Sequence, residues 1–262
     1  MNRRNILKAL FFGQATAHAL VSKSEPVYEV EQEQVPDSTH HFKSKWHQLT
    51  GIYWNEENLY ASNLGDWCIQ NGELICLVSK PDRTVQLLSH HLTGENKAFN
   101  VEMVFKFLNN PEVQTNNLNA TGFRLGEKGE AVDYVQGIDA GISRSGNLFI
   151  GKTISNKKIN ENILKEKVRL VLTVTPKSNS GEYFAKLKAL DRSGNTLATI
   201  SSAEYGAWVW TGNIAILSNS ESQSISDTPT LAISSFEIEG EKLTFCAGFE
   251  PANLNNQNLN IN

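Results

Sequence analysis

The sequence predicts an all-β protein arranged as a two-sheet sandwich. Three observations lead there. Apolar residues recur with period two in short runs such as Asn100 to Phe107 (NVEMVFKF) and Val168 to Thr175 (VRLVLTVT), the pattern of strands that bury one face. Turn residues separate these runs at intervals of about 8 to 15 residues, as in sandwiches. No long stretch shows the 3.6-residue period of a capped amphipathic helix.

In chain order, the first segment reads as an address. Asn2 to Lys8 (NRRNILK) is followed by a weak apolar stretch from Ala9 to Leu20. Adjacent arginines, a spacer, two apolar residues and a lysine resemble the twin-arginine export signal, and Ala17-His18-Ala19 supplies a small-x-small cleavage pattern. Residues 1–19 are therefore expected to be removed, with the mature chain beginning near Leu20 in the periplasm or outside the cell. The apolar stretch is interrupted by Gln14, Thr16 and His18, too short for the roughly 20 apolar residues of a membrane span. Residues 20–45 carry Glu25, Glu29, Glu31, Glu33, Pro26 and Pro36 with little periodicity, which reads as an acidic linker. His40-His41 falls inside it.

The sandwich is expected over residues 46–243. Asn71-Gly72 is a strong hairpin signal that pairs Ile69 with Leu74, Cys68 with Ile75 and Trp67 with Cys76. Successive side chains alternate faces, so Cys68 and Cys76 point to opposite sides and do not form a disulfide with each other. Cys76 shares Trp67's face and is expected in the core; Cys246 is the odd cysteine. His90 and His91 face opposite ways and cannot chelate together. Gly141 to Gly146 (GISRSG) lacks the spacing of a nucleophile elbow and reads as a hairpin turn. Asn160 to Lys167 makes one short helical turn at most. Tyr183 to Leu190 (YFAKLKAL) alternates, then DRSGN turns into TLATI. Further runs are Gly122 to Leu125, Asp139 to Ile142, Asn147 to Gly151, Asn213 to Ser218 and Leu231 to Glu239. Residues 244–262 end in a low-complexity tail, with six Asn in the last ten residues, read as disordered.

Composition narrows the function classes. A chain of 262 residues with 40% hydrophobic and 20% charged residues can bury a substantial core. Its net charge of −4 and pI of about 5.9 exclude a nucleic-acid binder, which needs clustered Lys and Arg.

Several stretches together carry a resemblance. They are Tyr60 to Cys76, Arg83 to Leu92, Gly122 to Gly126 (GFRLG), Asp133-Tyr134, Gly137 to Gly141 (GIDAG), Leu148 to Gly151, Gly212 to Ser218 and Phe236 to Gly240. Their order resembles the N-terminal region of bacterial exported alkaline phosphatase D-like proteins, in which a concanavalin A-like sandwich precedes a metallophosphatase domain. The resemblance implies that fold and covers the front module only. The D-x-H, G-D-x-x-D and G-N-H ligand groups of dinuclear phosphoesterases do not occur in the chain. No metal centre, phosphatase activity or cofactor is expected. The fold commonly carries a structural Ca²⁺, but no acidic cluster here has a recognisable loop spacing.

Binding and catalytic candidates remain. Trp208-Val209-Trp210, read as a strand, puts two indoles on one face beside Tyr205; the pair either forms a platform for sugar rings or fills the core. Arg124, Asp133, Tyr134 and Asp139 either line a concave binding face or form a buried ion-pair network. Glu237, Glu239 and Glu241 would line one face of a strand, a spacing similar to the E-x-D-x-E strand of laminarinases and lichenases. The expected function is a non-catalytic module that binds a glycan or a surface, or serves a missing metallophosphatase domain. The rival is a sandwich-fold glycosidase using Glu237 and Glu241.

Overall fold

Alternating burial is what the strands share, and it assigns each a side of the sandwich. In the computed structural model, β7 (Phe99–Phe107) buries Phe99, Val101, Met103, Phe105 and Phe107 and turns Asn100, Glu102, Val104 and Lys106 outward. The structure describes residues 40–49, 52–53, 58–108, 119–127, 137–178, 180–220 and 228–246.

Two antiparallel sheets result. In the first, the order is β14 (Thr196–Ser201), β13 (Glu182–Leu190), β12 (Val168–Pro176), β7, β17 (Leu231–Glu239), β5 (Glu73–Cys76), β4 (Trp67–Gln70) and β2 (Ile52–Tyr53). To this path β1 (His41–Lys43) adds beside β17, and β15 (Tyr205–Gly206) beside β13. In the second, the order is β11 (Thr153–Lys158), β10 (Asn147–Ile150), β9 (Ile138–Ser143), β8 (Ala120–Glu127), β16 (Gly212–Asn219), β6 (Arg83–Leu92) and β18 (Leu243–Phe245), with β3 (Leu59–Ala61) beside β6. The inner faces meet in one hydrophobic core that includes Trp46, Trp67, Phe105, Phe123, Leu172, Ile216 and Phe236.

The Asn71-Gly72 turn has φ of 52° and 75°, the left-handed pair of a type I′ hairpin. Its register is the expected one, with Trp67 opposite Cys76 and Cys68 opposite Ile75. Cys76 is buried with Trp67, and all three cysteines are free thiols. Among the described residues the one α-helix, α1 (Glu161–Leu164), is capped by the Asn160 side chain, which accepts from Asn162 N. The turn after β9 is a hairpin into β10.

Both borders of the sandwich move outward from the sequence reading. The supposed linker contains β1, whose Phe42 is buried and pairs with Ile238. Just beyond, Trp46 donates its indole N–H to Ser234 O (2.8 Å), at the register shift of β17 between Ile233 and Ser235. At the other end, Thr244 to Cys246 are not tail: β18 pairs with β6, Phe245 meets His90 edge to face (5.3 Å), and Cys246 N donates to Ser89 O. Both strands are three residues long, too short to show a period.

Lys242 is fully buried. Its Nζ donates to Glu95 O (2.9 Å) and lies 3.4 Å from the Tyr183 hydroxyl. Burial, opposed in part by the charge of Glu95, pushes its pKa down from 10.5 to about 8. Between those values the unfolded chain holds a proton that the folded chain has released, so the contribution of Lys242 to stability rises with pH there. Buried Cys68, Cys76 and Tyr183, whose pKa burial raises, act in the opposite direction in both proteins, so in paired urea melts across pH 8 to 10.5 the wild type is expected to gain stability relative to Lys242→Met.

Candidate functional site

The outer face of the second sheet is where small residues and a fixed charge coincide. Inward positions of β8, β9, β10 and β16 take Phe123, Ile142, Leu148 and Ile216. Period two therefore sends Ala120, Gly122 and Arg124 outward on β8, and Asp139, Gly141 and Ser143 outward on β9. Register stacks these into rows across the strands. Asp139 lies opposite Arg124, and Arg124 opposite Ala215. The next row runs Ile154, Phe149, Gly141, Gly122 and Leu217. A third joins Ser143, Ala120 and Asn219.

The two glycines set the shape of this face. A Cβ on Gly122 would run into Ala140 O and the Gly141 Cα; one on Gly141 would run into Thr121 O. Only glycine permits so close an approach of two backbones. Beside them lies a trough of about 190 Å³ lined by Ala120, Asp139, Ser143, Asn147, Phe149, Gly151, Ile154, Leu217 and Asn219.

Arg124 fixes the polar wall. Its Nε donates to Asp139 Oδ1 (2.8 Å) and an Nη to Oδ2 (3.0 Å), a bidentate fork. The other Nη donates to Asp82 Oδ1. The guanidinium side chain is 15% exposed, and the Asp139 hydrogen bonds, against the cost of burial, raise its pKa further above its already high value. It is a permanent cation held by two carboxylates. Asp82 adopts φ of 56°, and its N–H donates to Asn219 Oδ1 (2.9 Å), so the rim loop is tied to the trough wall.

At the other wall the polar groups are tied to one another. Ser143 and Ser145 hydroxyls lie 2.8 Å apart, Asn147 Nδ2 donates to Ser155 O (2.8 Å), and Leu148 N donates to Ser155 Oγ (2.9 Å). This holds the wall in one conformation before any ligand arrives.

The other sequence candidates fare differently. Residues 207–210 form a 3₁₀ turn rather than a strand, so the indoles diverge. Trp210 is 0% exposed and meets Tyr205 edge to face (6.0 Å), whereas Trp208 is 58% exposed. Trp208 and Trp210 therefore form no common platform. Asp133 and Tyr134 lie outside the described residues. Arg124 and Asp139 do form an ion pair, on the outer face of the sheet rather than within the core.

The carboxylate row is also corrected. Glu237 and Glu239 share the outer face of β17, but the strand ends there and Glu241 lies beyond Gly240. Glu237 accepts from Lys43 (2.9 Å) and lies 2.8 Å from His41 Nε2; Glu241 accepts from Lys97 (2.6 Å). Partial burial pushes the Glu237 carboxyl up, yet its Lys43 and His41 hydrogen bonds bring it below the usual range; Lys97 lowers Glu241 likewise. A glycosidase acid needs a raised pKa, and neither group has one. Among the described residues no group of three or more His, Cys, Asp or Glu is placed to hold a metal ion.

Sequence reasoning missed Phe149, Ile154, Leu217, Asn219 and Asp82. The available signal was the alternation of Ala120, Gly122 and Arg124 beside Asp139, Gly141 and Ser143, which empties one face of bulk.

The chain matches no protein-family model and no curated protein. Solved structures do resemble it. The winged bean acidic lectin in complex with methyl-α-D-galactose superposes with a TM-score of 0.55 at 10% identity, covering 78% of this chain and 100% of that one. Peanut lectin, solved with a nine-residue peptide, gives 0.50 at 9% identity, covering 79% and 97%. Arcelin-5, a lectin-like defence protein from Phaseolus vulgaris, gives 0.50 at 10% identity, covering 78% and 100%. The fold is thus the concanavalin A-like sandwich of the legume lectins.

Replacing Arg124 by Gln removes a charge-assisted fork from the partly buried Asp139, worth about 1.5–3 kcal/mol, while the contact to the exposed Asp82 adds little. Denaturant melts are expected to show a loss on that order, while Glu241→Gln, at a fully exposed pair, leaves the melt unchanged.

Proposed function

We propose that the protein is a non-catalytic carbohydrate-binding module whose ligand lies in the trough on the outer face of the second sheet. One observation carries the reading: apolar Phe149, Ile154 and Leu217 share a small trough with Asp139, a carboxylate locked in place by Arg124. Sugar rings offer apolar faces and hydroxyl edges, which such a mixed lining suits. The Asp139 carboxylate has about four lone-pair sites, so two donors from Arg124 leave room for sugar hydroxyls. The charge of Arg124 is already balanced by Asp82 and Asp139, so the trough favours a neutral sugar over an acidic one. The lectin structures support this reading through their fold.

The export signal read from residues 1–19 makes this an extracytoplasmic module. The order of motifs in residues 46–243 supports descent from the front part of an alkaline phosphatase D-like protein, with a metallophosphatase domain as its partner. Genomic sequence following the codon for Cys246 tests that descent: a metallophosphatase reading frame there supports it.

Binding of the full chain to an array of neutral and acidic glycans, followed by calorimetry on the strongest ligand, tests the function. Asp139→Ala is expected to weaken binding about 10- to 100-fold, with thermal melting confirming that the variant folds. Trp208→Ala is expected to leave binding unchanged. Binding abolished by Trp208→Ala and untouched by Asp139→Ala would place the ligand elsewhere.

A further inference from the structure

The trough crosses strands rather than following one. Ile154 on β11 marks one end and Asn219 on β16 the other, with β10, β9 and β8 between them. Four strand-to-strand steps of about 4.8 Å make this span about 19 Å. That is several sugar rings long and far exceeds one. The floor is recessed below the rim: Leu217 and Ser143 are each 2% exposed and Ala120 8%, whereas Ile154 stands out at one end.

The lining changes along that length. At the β11 end Ile154, 52% exposed, stands beside Phe149 as an apolar shelf. In the middle Asp139 presents its fixed carboxylate. At the β16 end Asn219 forms a polar wall, with Asp82 tied to it at the rim. A ligand touching only one of these regions would leave the others unused. An extended peptide recognised by its main chain needs an open sheet edge; β8, β9, β10 and β16 are each paired on both sides, and a peptide added to the edge of β11 would run along that strand rather than across the trough.

Resting on the carbohydrate reading above, we infer that the trough binds an internal stretch of a linear neutral oligosaccharide, laid across the five strands from Ile154 to Asn219. Binding energy then accumulates from separate contacts along the chain: the Phe149 and Ile154 shelf holds one ring, Asp139 accepts hydroxyls from a second, and Asn219 meets a third.

The test is calorimetry of the full chain against homologous neutral oligosaccharides, from one ring to six, in gluco-, galacto- and manno-configured series. In the series that binds, affinity is expected to rise roughly tenfold or more, about 1.4 kcal/mol, between one ring and four, and then level off. Ile154→Ala and Asn219→Ala, at opposite ends, are each expected to weaken the six-ring ligand several-fold. Neither contact can be shared by one ring, so at most one of these variants is expected to affect the monosaccharide. A monosaccharide that binds as tightly as its six-ring homologue overturns the inference and leaves the carbohydrate reading standing. Failure of every series to bind, in a chain that melts cooperatively, overturns both.

Discussion

Everything in this protein depends on two antiparallel sheets having only one way to hide their apolar faces, against each other. The strand that bears most of that constraint is β17. It pairs with β7 along one edge and along the other first with β5 and then with β1. Its register shift at Ser234 is where Trp46 anchors the incoming chain. Phe236 and Ile238 face the core beyond that shift, while Glu237 and Glu239 face solvent. The carboxylate row ends with that strand, since Glu241 lies past Gly240. Glu237, on the outside of the first sheet, meets Lys43, and Glu241, past the end of the strand, meets Lys97; each lysine stabilises the charged form.

The opposite outer face is built on different terms. There the inner side is as apolar as elsewhere, but the outer side has been emptied by Ala120, Gly122 and Gly141. Arg124 and Asp139 then stand beside a floor of small residues with their charges matched. A partly buried ion pair is weak evidence for stability. Its value here is geometric, because a bidentate fork fixes both the carboxylate and the guanidinium. The rim follows from the same fork, since the third Arg124 contact and the Asn219 side chain hold Asp82 in a left-handed conformation.

What was legible in the sequence was whatever one chain segment determines locally. β7, β12 and β13 alternate without a break because each has one face in the core, and Asn71-Gly72 announced its own turn and register. Three-residue strands such as β1 and β18 carry no period, so the domain borders were drawn inside the fold. Trp208-Val209-Trp210 mimics strand alternation, yet a 3₁₀ turn has three residues per turn and points the two indoles apart. The buried Lys242 breaks the composition rule for lysine, and no local signal announces it. Arg124 and Asp139 were singled out from sequence. Their companions Phe149, Ile154, Leu217 and Asn219 join them only through the register of five strands, which no single segment encodes.

The central claim is that the ligand face is the outside of the second sheet. Amide chemical-shift mapping, with a neutral oligosaccharide titrated into isotope-labelled protein, tests it most directly. The account predicts that the largest shifts cluster on Asp139, Gly141, Phe149, Ile154 and Asn219, with β7, β12 and β17 unmoved. Shifts gathered instead around Glu237 and Glu239 on the first sheet, or around Trp208, would contradict it.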